Sequence, residues 1–111
     1  MNYLHKDLAA GKWKNLSFLQ QMANIGSEVG RALNWRRKGN KEYCINAAER
    51  ALELFDLTIT FQETYSKKYE VARARELFID YLFGDNVYQS TDKNWQNYFL
   101  SFTCAAASDK K

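Results

Sequence analysis

Asn24, Glu28, Arg31 and Trp35 recur at helical spacing within one stretch of the chain. They are the side chains whose types could do chemistry together. Residues at i, i+4 and i+7 share one face of a helix, so an amide, a carboxylate and a guanidinium would line up, with an indole one turn on. The stripe could form a small polar pocket if Glu28 meets Arg73 or Arg50 from a neighbouring helix. The plainer expectation is a solvated face or an interhelical ion pair. A catalytic reading would add Asp80 to Glu28 and Arg31, and it is the weakest of those considered.

Other chemistries lack their parts. A zinc centre needs three or four Cys, His, Asp or Glu ligands at suitable spacing, and the chain offers one histidine (His5) and two distant cysteines, Cys44 and Cys104. No Glu-x-x-His pair exists for a di-metal bundle. Gly26 and Gly30 fall inside a helical pattern and have no phosphate-loop lysine after them. Neither cysteine has an internal histidine to act as its base. Small helical ribonucleases pair an arginine with a histidine four to six residues on, and no arginine precedes His5. No catalytic residue, metal or cofactor is therefore expected.

Two further groups are interaction candidates. Ala23, Gly26, Ser27 and Gly30 form a small-residue seam, along which another helix of the bundle, or a partner helix or second copy of the chain, can approach closely. Each mid-helix glycine costs roughly 0.8–1 kcal/mol against alanine, so a packing role is expected. At Gly30 in particular, a leucine is expected to overpack the seam. Arg36, Arg37, Lys38 and Lys41 form a basic patch, and Lys12, Lys14, Lys67 and Lys68 make a second cluster.

These residues need helices to position them. The chain has 111 residues and no proline, the size of one domain with nothing to force breaks in long helices. Its formal charge of +3 is too small to imply nucleic-acid binding by itself. Neither a secretory leader nor a membrane-spanning run is visible, so a cytoplasmic protein with reduced thiols, not acting in a membrane, is expected.

Residues 1–14 read as an N-terminal arm, with Trp13 packing on the main body and Tyr3, Leu4 and Leu8 making an amphipathic turn or two. A first helix is expected over about 17–38, opened by a Ser17–Gln20 capping box and closed at Gly39. Its core stripe is Phe18, Met22, Ile25, Val29 and Leu33. A second follows over about 41–60, capped by Asn40, with Ile45, Ala48, Leu52, Phe55 and Ile59 inward. The third and fourth are expected near 67–83 and 91–107, the fourth carrying Trp95, Tyr98 or Phe99, and Phe102. The fold expected is all-α, a four-helix up-down-up-down bundle over 15–107 with a polar tail at 108–111.

Gly39, Cys44 and Ala51-Leu52-Glu53-Leu54 resemble the turn and second helix of a single tetratricopeptide repeat. The first helix departs from that pattern, and there is no second copy to stack on. A wider resemblance rests on Trp13, Leu16-Ser17, Asn24-Ile25-Gly26-Ser27-Glu28-Val29, Gly39-Asn40, Arg50-Ala51-Leu52-Glu53-Leu54, Asp56-Leu57-Thr58 and Tyr98-Phe99. In these the chain resembles a group of small uncharacterised prokaryotic all-helical proteins, a likeness that implies a domain extent and no activity. The functional expectation is a non-enzymatic interaction module that self-associates or docks on a larger protein. The alternative is a nucleic-acid-associated accessory protein of the kind that accompanies reverse transcriptases or nucleotidyltransferases.

Overall fold

A computed structural model describes residues 11–109, as a 3-10 turn (Trp13–Asn15) followed by four helices: α1 (Phe18–Arg37), α2 (Lys41–Phe61), α3 (Tyr65–Phe83) and α4 (Asp92–Asp109). No strand occurs among the described residues, and the chain is all-α. Most of the expected arm, including Tyr3, Leu4, His5 and Leu8, lies outside the described residues.

Side-chain caps set most of the helix ends. Ser17 accepts from Gln20 N while Gln20 Oε1 accepts from Ser17 N, the expected capping box. Asn40 Oδ1 accepts from Tyr43 N at the start of α2. Thr91 and Asn94 repeat the reciprocal arrangement before α4. Between α1 and α2, Gly39 adopts φ +78°, and Gly39 N and Asn40 N return to the carbonyls of Arg36 and Trp35. That double closure satisfies carbonyls that the last turn would otherwise leave open. α3 begins two residues before the expected 67, because Lys68 N already reaches Thr64 O at 3.0 Å. Ser108, expected in the tail, lies within α4.

The α1 stripe is as expected: Met22, Ile25, Val29 and Leu33 are fully buried and Phe18 partly so. The stripe of α2 is rotated from the expected one. Ile45, Leu52 and Ile59 are only half-buried, whereas Cys44, Ala47, Ala51, Leu54 and Thr58 join Ala48 and Phe55 in the core. The cause is position: α2 packs on α1, on α3 and on the 3-10 turn together, so it buries a broader face than a two-neighbour helix. Its run of alanines lets α1 come near on one side while Phe55 meets Phe78 of α3 on the other, ring centroids 6.0 Å apart.

Glu28 meets Arg50 and Trp35 meets Tyr43, so α1 and α2 run in opposite directions. α4 packs on α1, and α3 packs on α2. The backbones of α3 and α4 therefore do not pack closely, and large side chains span between them. Phe78 and Trp95 meet edge to face at 5.7 Å, and Tyr98 Oη donates to Glu70 at 2.8 Å.

Trp13 is packed on the main body, as expected, through a buried polar chain. Its Nε1 donates to Thr58 Oγ1 at 2.8 Å, and the Thr58 hydroxyl donates to Leu54 O. Gln21 Nε2 donates to Trp13 O, and Gln62 Nε2 donates to Gln21 Oε1. Gln21 and Thr58 are the buried polar side chains among the described residues, and both are satisfied. Thr58→Val keeps the shape but strands the Trp13 N–H in the core. The expected loss is about 1–3 kcal/mol, measured by urea denaturation; an unchanged midpoint would show that the indole bond contributes nothing.

Candidate functional site

The three groups of candidate residues have different fates. In the polar stripe, Glu28 is largely buried and holds two arginines, Arg31 at 2.7 Å and Arg50 of α2 at 3.1 Å. Of the two interhelical partners expected for it, Arg50 is the one it meets. Asn24 donates to Gln20 O on its own helix, and Trp35 packs edge-on against Tyr43 with Lys38 over its ring. Asp80 accepts from the backbone N–H groups of Val87 and Tyr88, so its role is to hold the α3–α4 loop. The structure does not bring it to Glu28 and Arg31.

The small-residue seam divides in two. A Cβ added at Gly26 would stand 2.7 Å from Phe99 Cβ, so α4 is seated directly on this glycine. At Gly30 a Cβ would meet no neighbouring atom within 4 Å, so no other helix of this chain packs on this position. Ser27 and Gly30 are exposed, Ala23 is half-buried, and Gly30 borders a shallow hollow between α1 and α4. The physical reason is the path of α4, which touches α1 at Gly26 but does not cover the face that Gly30 presents.

The basic patch is largely engaged within the molecule. Arg37 pairs with Asp92 at 2.8 Å, Arg36 lies 5.0 Å over the Tyr81 ring, and Lys38 lies 5.2 Å over Trp35. Asp92 also accepts from Tyr81 Oη. Burial works to raise the Asp92 carboxyl, but the bonds from Tyr81 and Arg37 and the charges of Arg37 and Arg36 outweigh it and hold it below its ordinary value. Burial, together with the bond to Asp92, pushes the Tyr81 phenol up. This clasp ties the ends of α1 and α3 to the start of α4.

The structure adds a site that none of these groups marks. Where α3 and α4 stand apart, an almost wholly apolar groove of about 470 Å³ opens between them. Tyr69, Ala74 and Leu77 line one wall, Trp95 and Tyr98 the other, and Arg73 lies at the side. Burial, then the hydrogen bond to Glu70, pushes the Tyr98 phenol far above its ordinary value, so it stays a donor. Trp95 Nε1 is buried with no acceptor among the described residues. At the rim of the groove Tyr65, 80% exposed, stacks on Tyr69, 61% exposed, while Arg73 lies over Tyr88. The sequence signal was the placement of Tyr65, Tyr69 and Leu77 off the Val71, Ala74 and Phe78 stripe, which gives α3 apolar surface on more than one face.

Among the described residues, no three His, Cys, Asp or Glu side chains gather to hold a metal, and no helix is long and apolar enough to cross a membrane. Cys44 is buried and Cys104 exposed, both as free thiols. No family model, curated protein or solved structure matches this chain.

The divided seam predicts opposite effects. Gly26→Ala should cost about 1–3 kcal/mol by forcing α4 away, whereas Gly30→Ala should gain about 0.8–1 kcal/mol from helix propensity. Denaturation midpoints of the two variants check this, and effects of the same sign would refute it. For the clasp, the contribution of Asp92 is full above its unfolded-chain value of about 4 and is lost as pH falls through the lower folded value. The stability gap between wild type and Asp92→Asn should therefore hold from about pH 7 to 5 and shrink below about pH 4. A gap independent of pH would show that the carboxylate charge is not what the clasp uses.

Proposed function

We propose that the protein is a non-enzymatic interaction module that receives an apolar segment of a larger protein in the groove between α3 and α4. The observation that carries this is the groove itself, an apolar cleft of about 470 Å³ left open between two helices. Its side chains support the reading. Tyrosine, tryptophan and arginine are the types that dominate binding energy at protein interfaces, and Tyr69, Arg73, Trp95 and Tyr98 converge here. From Tyr69 to Leu77 the α3 wall covers about 12 Å at 1.5 Å per residue, enough for two turns of a partner helix that inserts side chains at i and i+3 or i+4.

The nucleic-acid alternative draws less support. Arg37 is ion-paired, and the faces of Trp35 and Tyr81, which would have to stack on bases, carry Lys38 and Arg36 instead. The catalytic alternative would need Glu28, Arg31 and Asp80 in one cleft, and each is engaged in its own neighbourhood.

A photo-crosslinking amino acid at position 69, with Asn46 on the exposed face of α2 as the control position, tests the reading in cells that express the chain. The expected result is a discrete adduct with a second protein from position 69 and none from position 46, lost when Leu77→Glu is added to a chain that still folds. The same labelling from both positions would count against the groove as a docking face.

A further inference from the structure

The end of the molecule where α1 turns into α2 carries a surface that the groove reading does not use. Cys44, Ile45, Leu82 and Phe83 make an apolar dimple of about 250 Å³, with Arg36 and Lys41 beside it. No carboxylate lines it. Phe83 is 50% exposed, so its ring stands as a bare wall. Burial raises the Cys44 thiol, which keeps the base of the dimple uncharged. The volume falls below the range of about 300–1,000 Å³ usual for small-molecule sites, and it suits a single apolar side chain. Complementarity calls for that side chain to arrive beside a carboxylate.

The same chain displays such a knob four residues beyond Phe83. Val87 is 73% exposed at the tip of the α3–α4 loop, and Asp85, also exposed, stands two residues before it. The loop is held firmly. Asp80 Oδ1 and Oδ2 accept from Val87 N and Tyr88 N at 2.9 and 3.1 Å. Asn86, in the left-handed region at φ +53°, exchanges two hydrogen bonds with Ser90. An exposed β-branched side chain on a loop fixed in this way loses little freedom when it inserts into a partner. Asp85 has no ion-pair partner among the described residues.

We infer that two copies of this chain associate end to end, each placing its Val87 in the dimple of the other and its Asp85 against the other's Arg36 and Lys41. The Leu82–Phe83 wall of the dimple runs on within four residues to the knob at Val87, so a two-fold axis at this end of the molecule makes both insertions at once. Such an isologous contact closes on itself and stops at the dimer. The contact is small, so the dimer is weak and salt-sensitive. It leaves the α3–α4 groove free and stands whether or not that groove binds a partner.

Sedimentation equilibrium over a wide concentration range tests it, on the full chain at low and at high salt. Wild type is expected to dimerise reversibly, more weakly at high salt. Val87→Asp, Asp85→Lys and Lys41→Glu, all at exposed positions, should each leave the helical circular-dichroism spectrum intact and weaken the dimer roughly tenfold or more, a change of 1.4 kcal/mol or above. The deciding arm mixes the Asp85→Lys chain with the Lys41→Glu chain. Each alone sets position 85 against a like charge at position 41 in both contacts, whereas the mixed pair sets opposite charges between those positions in both, so the mixture should dimerise more strongly than either variant alone. A wild type that stays monomeric at every concentration overturns the inference. So does a dimer indifferent to the three substitutions, or a mixture that fails to recover. Cross-linking from position 69 is unaffected in either case, which separates this outcome from the fate of the groove.

Discussion

At position 26 there is no side chain, and Phe99 of α4 occupies the place where a Cβ would be. That contact decides how the four helices share their surfaces. It draws α4 onto α1, while α1 already has α2 on its other side and α2 carries α3. An α4 held this close to α1 cannot also settle against α3, and aromatic side chains have to bridge the distance. Trp95 does so against Phe78, and Tyr98 against Glu70. The groove is thus the counterpart of the close approach at Gly26. Tight packing of α4 on α1 leaves the adjoining edge, between α3 and α4, open.

The charges follow a related logic. Cations near the end of α1 look in sequence like a free basic surface, but an ion pair or an aromatic ring engages Arg36, Arg37 and Lys38. Glu28 serves two arginines at once, and Asp80 is committed to the loop after α3. Long side chains at helix ends fold back on their own protein when rings and carboxylates are near, since the charged tip stays in water while the stem covers apolar surface. Among the large hydrophobic side chains, Tyr65, Tyr69, Phe83, Val87 and Leu100 remain half exposed or more and open to a partner.

Much of the helical frame was legible in the residues. Ser17 with Gln20, Asn40 and Gly39 marked their helix boundaries because capping is local chemistry, carried by side chains within a few residues of the backbone groups they satisfy. The stripe of α1 was legible for the same reason. The rotated face of α2 was not, because its burial depends on having three neighbours, which a periodicity of 3.6 cannot report. Gly26 and Gly30 are indistinguishable in sequence, and only the path of α4 separates a packed glycine from an exposed one. The groove was the least legible feature. It is a space between helices, and its walls come from residues that individually read as ordinary surface tyrosines or core tryptophan.

The contacts also differ in how much chain they span. Trp35 and Tyr43 meet across the hairpin turn, and Trp13 reaches Thr58 over a separation of 45 residues. Gly26 meets Phe99 across 73 positions, from 26 to 99. Loop-closure entropy favours the nearer contacts first, so the α1–α2 hairpin can assemble early while α4 waits for a surface to dock on. The wall of the groove that α4 forms is thus set by the longest of these three contacts, and the width of that groove depends on how closely one phenylalanine sits on one glycine.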